Sequence, residues 1–322
     1  MRYTICTLKL KSSFHAGERE QWLEGSDTFI HSDTLFSALC NACLLMYGAC
    51  ELSDMLEMFN ADSPPFLLSS AFPCWNGEYY FPVPLNQQSG AKKIKRIEFV
   101  ASGGLARLLN GDSLQTIINT TTVIPSLKSN AEDAFPWVLE NTPRVGLSRF
   151  SNHPGENYFH FGQVFYRENA GLFFMIDIKN PEYEKKIIST IRLMADEGIG
   201  GDRTCGKGHM YQPVFSQLDV PDIPNADGVY MVSLYFPEES ALQSINNSYY
   251  TLIERKGYIY SPAGKSMRRK SVRLFSEGSV FPGATNHKGM LVNVKPDAFI
   301  SHDVFRYGIA FGLPCRLEVN NS

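Results

Sequence analysis

The stretch Gly198-Ile199-Gly200-Gly201-Asp202-Arg203-Thr204-Cys205-Gly206-Lys207-Gly208 decides how the rest of the chain is read. Five glycines flank two cations, Arg203 and Lys207, and one hydroxyl, Thr204. Glycine is tolerated where the backbone needs a positive φ or where another backbone comes close. A loop of this kind can lay its amides along a large anion, and a phosphodiester backbone is the simplest such partner. Gly201, Gly206 and Lys207 satisfy most of a Walker A pattern, but Gly208 stands where Ser or Thr should hold Mg²⁺. The dinucleotide fingerprint fails as well, because Arg203 replaces its third glycine. Both motifs also need a strand before the loop and a helix after it. Here Tyr183, Ile187, Ile188, Ile191 and Met194 recur at helical spacing before the loop, and Gly198 sits where a C′ glycine would end that helix. Met210, Gln212, Val214 and Ser216 then lead a strand-like run. Helix, glycine loop, strand is not a P-loop. A long glycine turn with no ligand is the plain alternative.

The chain has 322 residues, 43% of them hydrophobic and 20% charged, which fits two medium domains or one large one with a real core. Its net charge of −3 confines any nucleic-acid surface to one face and favours a subunit over a free-standing RNA binder. Seven cysteines at 6, 40, 43, 50, 74, 205 and 315 are odd in number and scattered. The start, MRYTICTLKLK, alternates like a strand and is not a signal peptide, and no run is expected to span a membrane. A reduced, cytoplasmic setting is expected. Cys40 and Cys43 form a lone CxxC pair without the second pair that a zinc site needs, so no metal or other cofactor is expected.

In chain order, residues 2–12 read as a first strand. After a polar loop, His31-Ser32-Asp33-Thr34 precede Leu35, Phe36, Leu39, Cys43 and Met46, the apolar face of a helix closed by Gly48. Ser32 or Asp33 can cap it. The four polar residues are then either simple caps or a phosphate seat on free helix-start amides. Lys92-Lys93-Ile94-Lys95-Arg96 is a basic run, read as a solvated face or a nucleic-acid contact. Arg144 and Arg149 lead to a polar tip at Phe150–Asn157. Two aromatic-rich strands, Tyr158–Tyr166 and Leu172–Ile178, follow on either side of a Glu-Asn-Ala-Gly turn. Residues 144–178 therefore read as an inserted, protruding β-hairpin. Strand and helix early, then helix, glycine loop and strand late, fit residues 1–220 to a ferredoxin-like βαββαβ frame in an α+β protein.

Pro221, Pro224 and Asp227-Gly228 mark a linker into residues 221–322, which leave room for a second, reduced version of the frame. Val229–Phe236 reads as its first strand and residues 248–260 as a hairpin around Lys256-Gly257. Lys265, Arg268, Arg269, Lys270 and Arg273 make the densest cationic cluster. Val304–Phe311 is a last strand.

These motifs resemble the RAMP superfamily of CRISPR RNA-binding proteins, whose signature is a glycine-rich loop before the last strand of a ferredoxin-like domain. His31–Ala38, Arg144 with Arg149, Glu277-Gly278-Ser279-Val280-Phe281 and Arg306-Tyr307-Gly308 narrow the likeness. In this order they are similar to the fourth-subunit family of type III-A (Csm) effector complexes, across nearly the whole chain. The resemblance implies two ferredoxin-like (RRM-like, RAMP) domains that hold the repeat-derived crRNA 5′ tag. It implies interfaces with a large polymerase/HD-type signalling subunit and a backbone RAMP subunit, and a thumb that meets target RNA near the guide 5′ end. It implies no chemistry and no membrane.

The binding reading assigns the loop glycines 198, 200, 201, 206 and 208 to close approach by phosphates, with Thr204 beside them and Arg203 and Lys207 as charge. His31, Ser32 and Thr34 supply donors from across a cleft, Arg144 and Arg149 brace RNA at the hairpin base, and the Lys265–Arg273 cluster adds a second anionic track. The alternative is a metal-independent endoribonuclease with His31 as general acid or base, although no second catalytic group is paired with it in sequence. Asp196/Glu197 and Glu238/Glu239 read as surface charge.

Overall fold

The computed structural model describes residues 1–17, 23–87, 94–126, 135–147, 150, 158–262, 264–283 and 287–319. Apolar alternation at the start gives β1 (Arg2–Leu8), with Ile5, Cys6 and Leu8 fully buried. Next come α1 (Ser32–Asn60), β2 (Phe66–Leu68), β3 (Phe72–Trp75), β4 (Glu78–Pro82), β5 (Ile97–Ala101), α2 (Ser102–Leu109), α3 (Leu114–Ile117) and β6 (Val123–Pro125). A long ribbon, β7 (Trp137–Val145) with β8 (Tyr158–Tyr166), precedes β9 (Ala170–Ile178), α4 (Glu184–Glu197) and β10 (Val214–Asp219). Among the described residues, the regular elements that follow are strands apart from a 3₁₀ segment at Glu239–Ile245: β11 (Gly228–Met231), β12 (Leu252–Arg255), β13 (Val272–Phe275), β14 (Val280–Pro282), β15 (Gly289–Asn293), β16 (Phe305–Ile309) and β17 (Gly312–Cys315).

The main sheet runs β10-β1-β9-β3-β4-β5-β6, all antiparallel, with β2 also pairing to β9. β9 is the centre of it. Residues Ala170 to Met175 are buried on both faces, as a strand covered on two sides must be. The connectivity β1-α1-β2, then β9-α4-β10, with strand order β10-β1-β9-β2, is the one that a βαββαβ reading expects, and α1 packs on α4. Three small sheets, β14-β11-β17, β12-β13 and β15-β16, follow. One apolar core runs from Ile5 to Cys315, so both halves of the chain share it.

Four local readings change. The helix does not close at Gly48 but continues to Asn60 across a kink, where Gly48 has φ 86° and ψ 179°. With that length, α1 is long and apolar enough by composition to cross a membrane, contrary to the sequence expectation. Its Leu35, Phe36, Leu39, Ala42 and Cys43 face is nevertheless buried in the protein core. The strand Tyr158–Tyr166 pairs with Trp137–Val145, not with the strand that follows it. The doubly buried β9 belongs inside the sheet, while β7 and β8 leave Val138, Leu139, Tyr158 and Phe159 at the surface. Residues 248–260 form no hairpin, since β12 pairs with β13.

Candidate nucleic-acid interface

The glycine loop hangs between α4 and β10, helix before and strand after, as its flanking sequence expects. Gly198 closes α4 with φ 81°, its amide donating to Met194 O at 2.9 Å. The loop then folds onto the segment after β1. Gly201 N–H donates to His15 O at 2.9 Å, Gly208 N–H to Ser13 O at 2.8 Å and Ile199 N–H to Gly208 O at 3.1 Å. The Cys205, Gly206 and Lys207 amides close turns onto Asp202 and Arg203 carbonyls. A Cβ on Gly200 would lie 2.4 Å from His15 O, and one on Gly208 2.0 Å from Ile199 O. The expectation that these amides face an anion is therefore corrected for Gly201, Gly206 and Gly208. Backbone-to-backbone packing consumes them.

The loop side chains point three ways. Arg203 stacks its guanidinium over the Tyr260 ring at 4.3 Å. Lys207 donates to Ser13 Oγ at 2.9 Å, and Thr204 is exposed. Asp202, at φ 58°, ion-pairs with Arg144, whose guanidinium also lies 4.1 Å over Phe161. Arg144 thus fastens the β7–β8 ribbon to the loop. Arg149 lies outside the described residues, as do Lys92 and Lys93 of the basic run.

The start of α1 is not an open phosphate seat. His31 itself is the N-cap residue, without a side-chain cap bond, in place of Ser32 or Asp33. Ser32 is fully buried, its Oγ accepting from Leu234 N–H at 3.0 Å and its N–H donating to Ser70 Oγ at 2.8 Å. The buried Asp33 carboxylate takes both Arg255 (3.0 Å) and Arg306 (2.6 Å). Burial opposes its charge, yet the two guanidinia hold the carboxyl well below its usual range. His31 Nδ1 lies 2.9 Å from Glu277 Oε1 and Nε2 lies 3.5 Å from Asp27 Oδ2. Burial disfavours the charged ring, but the Glu277 charge and the hydrogen bonds to Asp27 and Glu277 outweigh it, lifting the pKa to about 9. Thr34 Oγ1 accepts from Arg255 at 2.9 Å. His31 and Ser32 are therefore struts between α1 and the C-terminal strands, a role set by partners more than 200 residues away in sequence.

The cationic cluster disperses. Lys270 pairs with Asp297 at 2.5 Å, Arg273 stands opposite Glu254 across β12–β13, and Lys265 and Arg268 are exposed. Only Arg269 turns inward. What the fold does assemble is a cleft of about 540 Å³ between the loop, the start of α1 and residues 255–260. His31, Thr34, Gly198, Gly200, Gly201, Arg203 and Arg269 line it, joined by Arg255, Lys256 and Arg306 against Asp27. Tyr258 and Tyr260, 61% and 63% exposed, stand at its mouth. Sequence reading passed over Arg255, Tyr258 and Tyr260. Their signal was the alternation Arg255-Lys256-Gly257-Tyr258-Ile259-Tyr260, cations beside aromatics that do not enter the core. Cys40 and Cys43 remain thiols on α1, with burial pushing both up, Cys43 to about 11.

A cleft with a cationic lining and exposed tyrosines thus lies next to the glycine loop. Residues 224–315 match the CRISPR Csm4 C-terminal domain. A Csm4 protein of Methanocaldococcus jannaschii is 25% identical over 87% of this chain and 85% of its own length. The chain is thus similar to Csm4 proteins over most of its length, and its C-terminal third matches the Csm4 family model. Its fold is that of solved Csm4 chains. One in a Csm3–Csm4 subcomplex of a type III-A interference complex gives a TM-score of 0.68 at 22% identity, covering 98% of this chain and 99% of that one. Another, in a Csm1–Csm4 cassette with cA4, gives 0.64 at 17% identity over the full length of both.

Proposed function

We propose that this Csm4-like chain is a noncatalytic crRNA-binding subunit of a type III-A CRISPR interference complex, in antiviral defence. It caps the repeat-derived 5′ tag and bridges the large signalling subunit to the backbone RAMP subunits. The observation that carries this is the cleft at the glycine loop. It offers what an unpaired RNA end requires, cations for the backbone and aromatic rings on which bases stack. The partners follow the solved relatives, which sit with Csm1 in one case and Csm3 in the other. Two ferredoxin-like domains, residues 1–220 and a reduced 221–322, provide the frame. The β7–β8 ribbon is the thumb that meets target RNA near the guide 5′ end. Arg203 and Lys207 lie toward the tag, and exposed Lys265, Arg268 and Arg273 form an outer track.

The endoribonuclease alternative needs a histidine able to exchange a proton with RNA. His31 has a carboxylate at each ring nitrogen and is held protonated at neutral pH, which favours the binding reading. The test is co-expression with the partner subunits and a CRISPR array, followed by purification in EDTA. Wild type is expected to retain a guide with one uniform 5′ end, and Arg203→Glu with Lys207→Glu to lose it. RNA cut by this chain alone would instead favour the nuclease.

A further inference from the structure

Arg269 is the cation of its cluster that turns inward, and among the described residues it makes no ion pair. Its Nε is buried without a partner, and its guanidinium makes one long hydrogen bond, 3.5 Å to Ser37 Oγ. The nearest acid, Asp33, is held in direct contact by Arg255 and Arg306 and acts on Arg269 only from farther off. A half-buried guanidinium without a direct ion pair is costly. Burial and the nearby Arg306 charge bring its pKa down to about 10.

The position of Arg269 explains what such a group is for. A second cavity, of about 550 Å³, runs along the kinked half of α1 beneath residues 301–305. It shares Ser37, Asn41, Ile259, Tyr260 and Arg269 with the glycine-loop cleft, so the two cavities meet at Arg269. The far cavity has apolar walls from Leu44, Leu52 and Leu56, with Asn41, Asn60 and His302 as polar groups and the acids Glu57 and Asp303 at its edge.

Resting on the tag-binding reading, we infer that Arg269 is a phosphate anchor at this junction. Single-stranded RNA leaves the glycine-loop cleft, sets one phosphodiester or terminal phosphate on Arg269 and Ser37, and buries its next nucleotide in the groove along α1. The anion supplies the direct ion pair and hydrogen-bond partner that the guanidinium lacks. The guide 5′ end thereby occupies two pockets, not one.

The test uses the co-purified, guide-loaded complex and three readouts. Hydroxyl-radical footprinting of Arg269→Gln should show the terminal nucleotides losing protection while those nearer Arg203 keep theirs. Guide retention against salt should lose one phosphate contact, a slope change of about 0.7 for single-stranded RNA. The thermal midpoint of the full chain should not fall, because Arg269 makes no direct ion pair within the protein. In wild type, phenylglyoxal modification of Arg269 should be blocked by the guide and appear after nuclease digestion, a readout that depends on no variant folding. An unchanged footprint and unchanged phenylglyoxal labelling would overturn the anchor. If Arg203→Glu with Lys207→Glu still strips the guide in that case, the cleft reading stands and only the second pocket fails. If neither variant alters the guide, the cleft reading fails too.

Discussion

At the scale of single residues, His31 and Asp33 show how far a pattern reaches and where it stops. Their sequence announces a helix start, and a helix starts there. Nothing local announces Arg255, Glu277 or Arg306, which come from the far end of the chain to bury them. The consequence is measurable. The His31 pKa is raised in the folded state from 6.5 to about 9, between Glu277 and Asp27 with Arg255 opposing. Its contribution to stability is complete below pH of about 6.5 and is lost as pH rises through about 9. The thermal midpoint of wild type is therefore expected to fall between pH 7 and 9.5, and that of Glu277→Gln to fall less. Parallel profiles would contradict the ion pair. Asp33→Asn leaves Arg255 and Arg306 without their shared acid, and breaking a buried pair in this way costs about 3–5 kcal/mol in a urea titration. A loss below about 1 kcal/mol, the range of exposed pairs, would mean that the network is solvated.

At the scale of elements, the glycine loop was legible as an exception to both nucleotide motifs, and its place between α4 and β10 followed from the Gly198 stop and the apolar spacing before it. Its internal packing was not legible, because composition does not reveal which carbonyls meet the amides. Gly200 (φ 95°) and Gly208 (φ 71°) each combine a positive φ with a backbone carbonyl where a Cβ would stand. Gly206 has φ 81° with open space around it. Gly200→Ala and Gly208→Ala are expected to cost about 2–4 kcal/mol each, combining backbone strain with overpacking. Gly206→Ala should cost only about 1–2 kcal/mol. Equal losses across the three would refute the packing role. Bulky residues at Gly200 and Gly201 would therefore disturb the loop fold as well as any RNA contact. The ribbon strand Tyr158–Tyr166 was placed correctly and given the wrong partner. Proximity in sequence favoured β9, whereas burial on both faces committed β9 to the sheet.

At the scale of the whole molecule, composition indicated a core large enough for two domains, and the proline-rich stretch near 221 suggested where they divide. The structure puts a shared core across that point. Leu68 N–H donates to the Tyr307 hydroxyl at 3.0 Å, Ser70 N–H to Val232 O at 2.9 Å, and the Tyr230 hydroxyl to Pro82 O at 2.6 Å. Residues 1–220 expressed alone would leave Phe36 and Phe59 without the Tyr307 ring. That fragment is expected to lack a cooperative unfolding transition, and to regain one when residues 221–322 are supplied in trans. Cooperative unfolding of the fragment by itself would show two independent domains.

The central claim is that the cleft of Arg203, Tyr258 and Tyr260 holds the guide 5′ end, and photo-crosslinking of the guide-loaded complex with peptide mapping tests it most directly. The expected result is that peptides covering residues 198–208 and 255–269 carry the repeat-derived 5′ nucleotides. Crosslinks from those peptides to the spacer-derived body, or 5′ nucleotides attached only to other subunits, would contradict it.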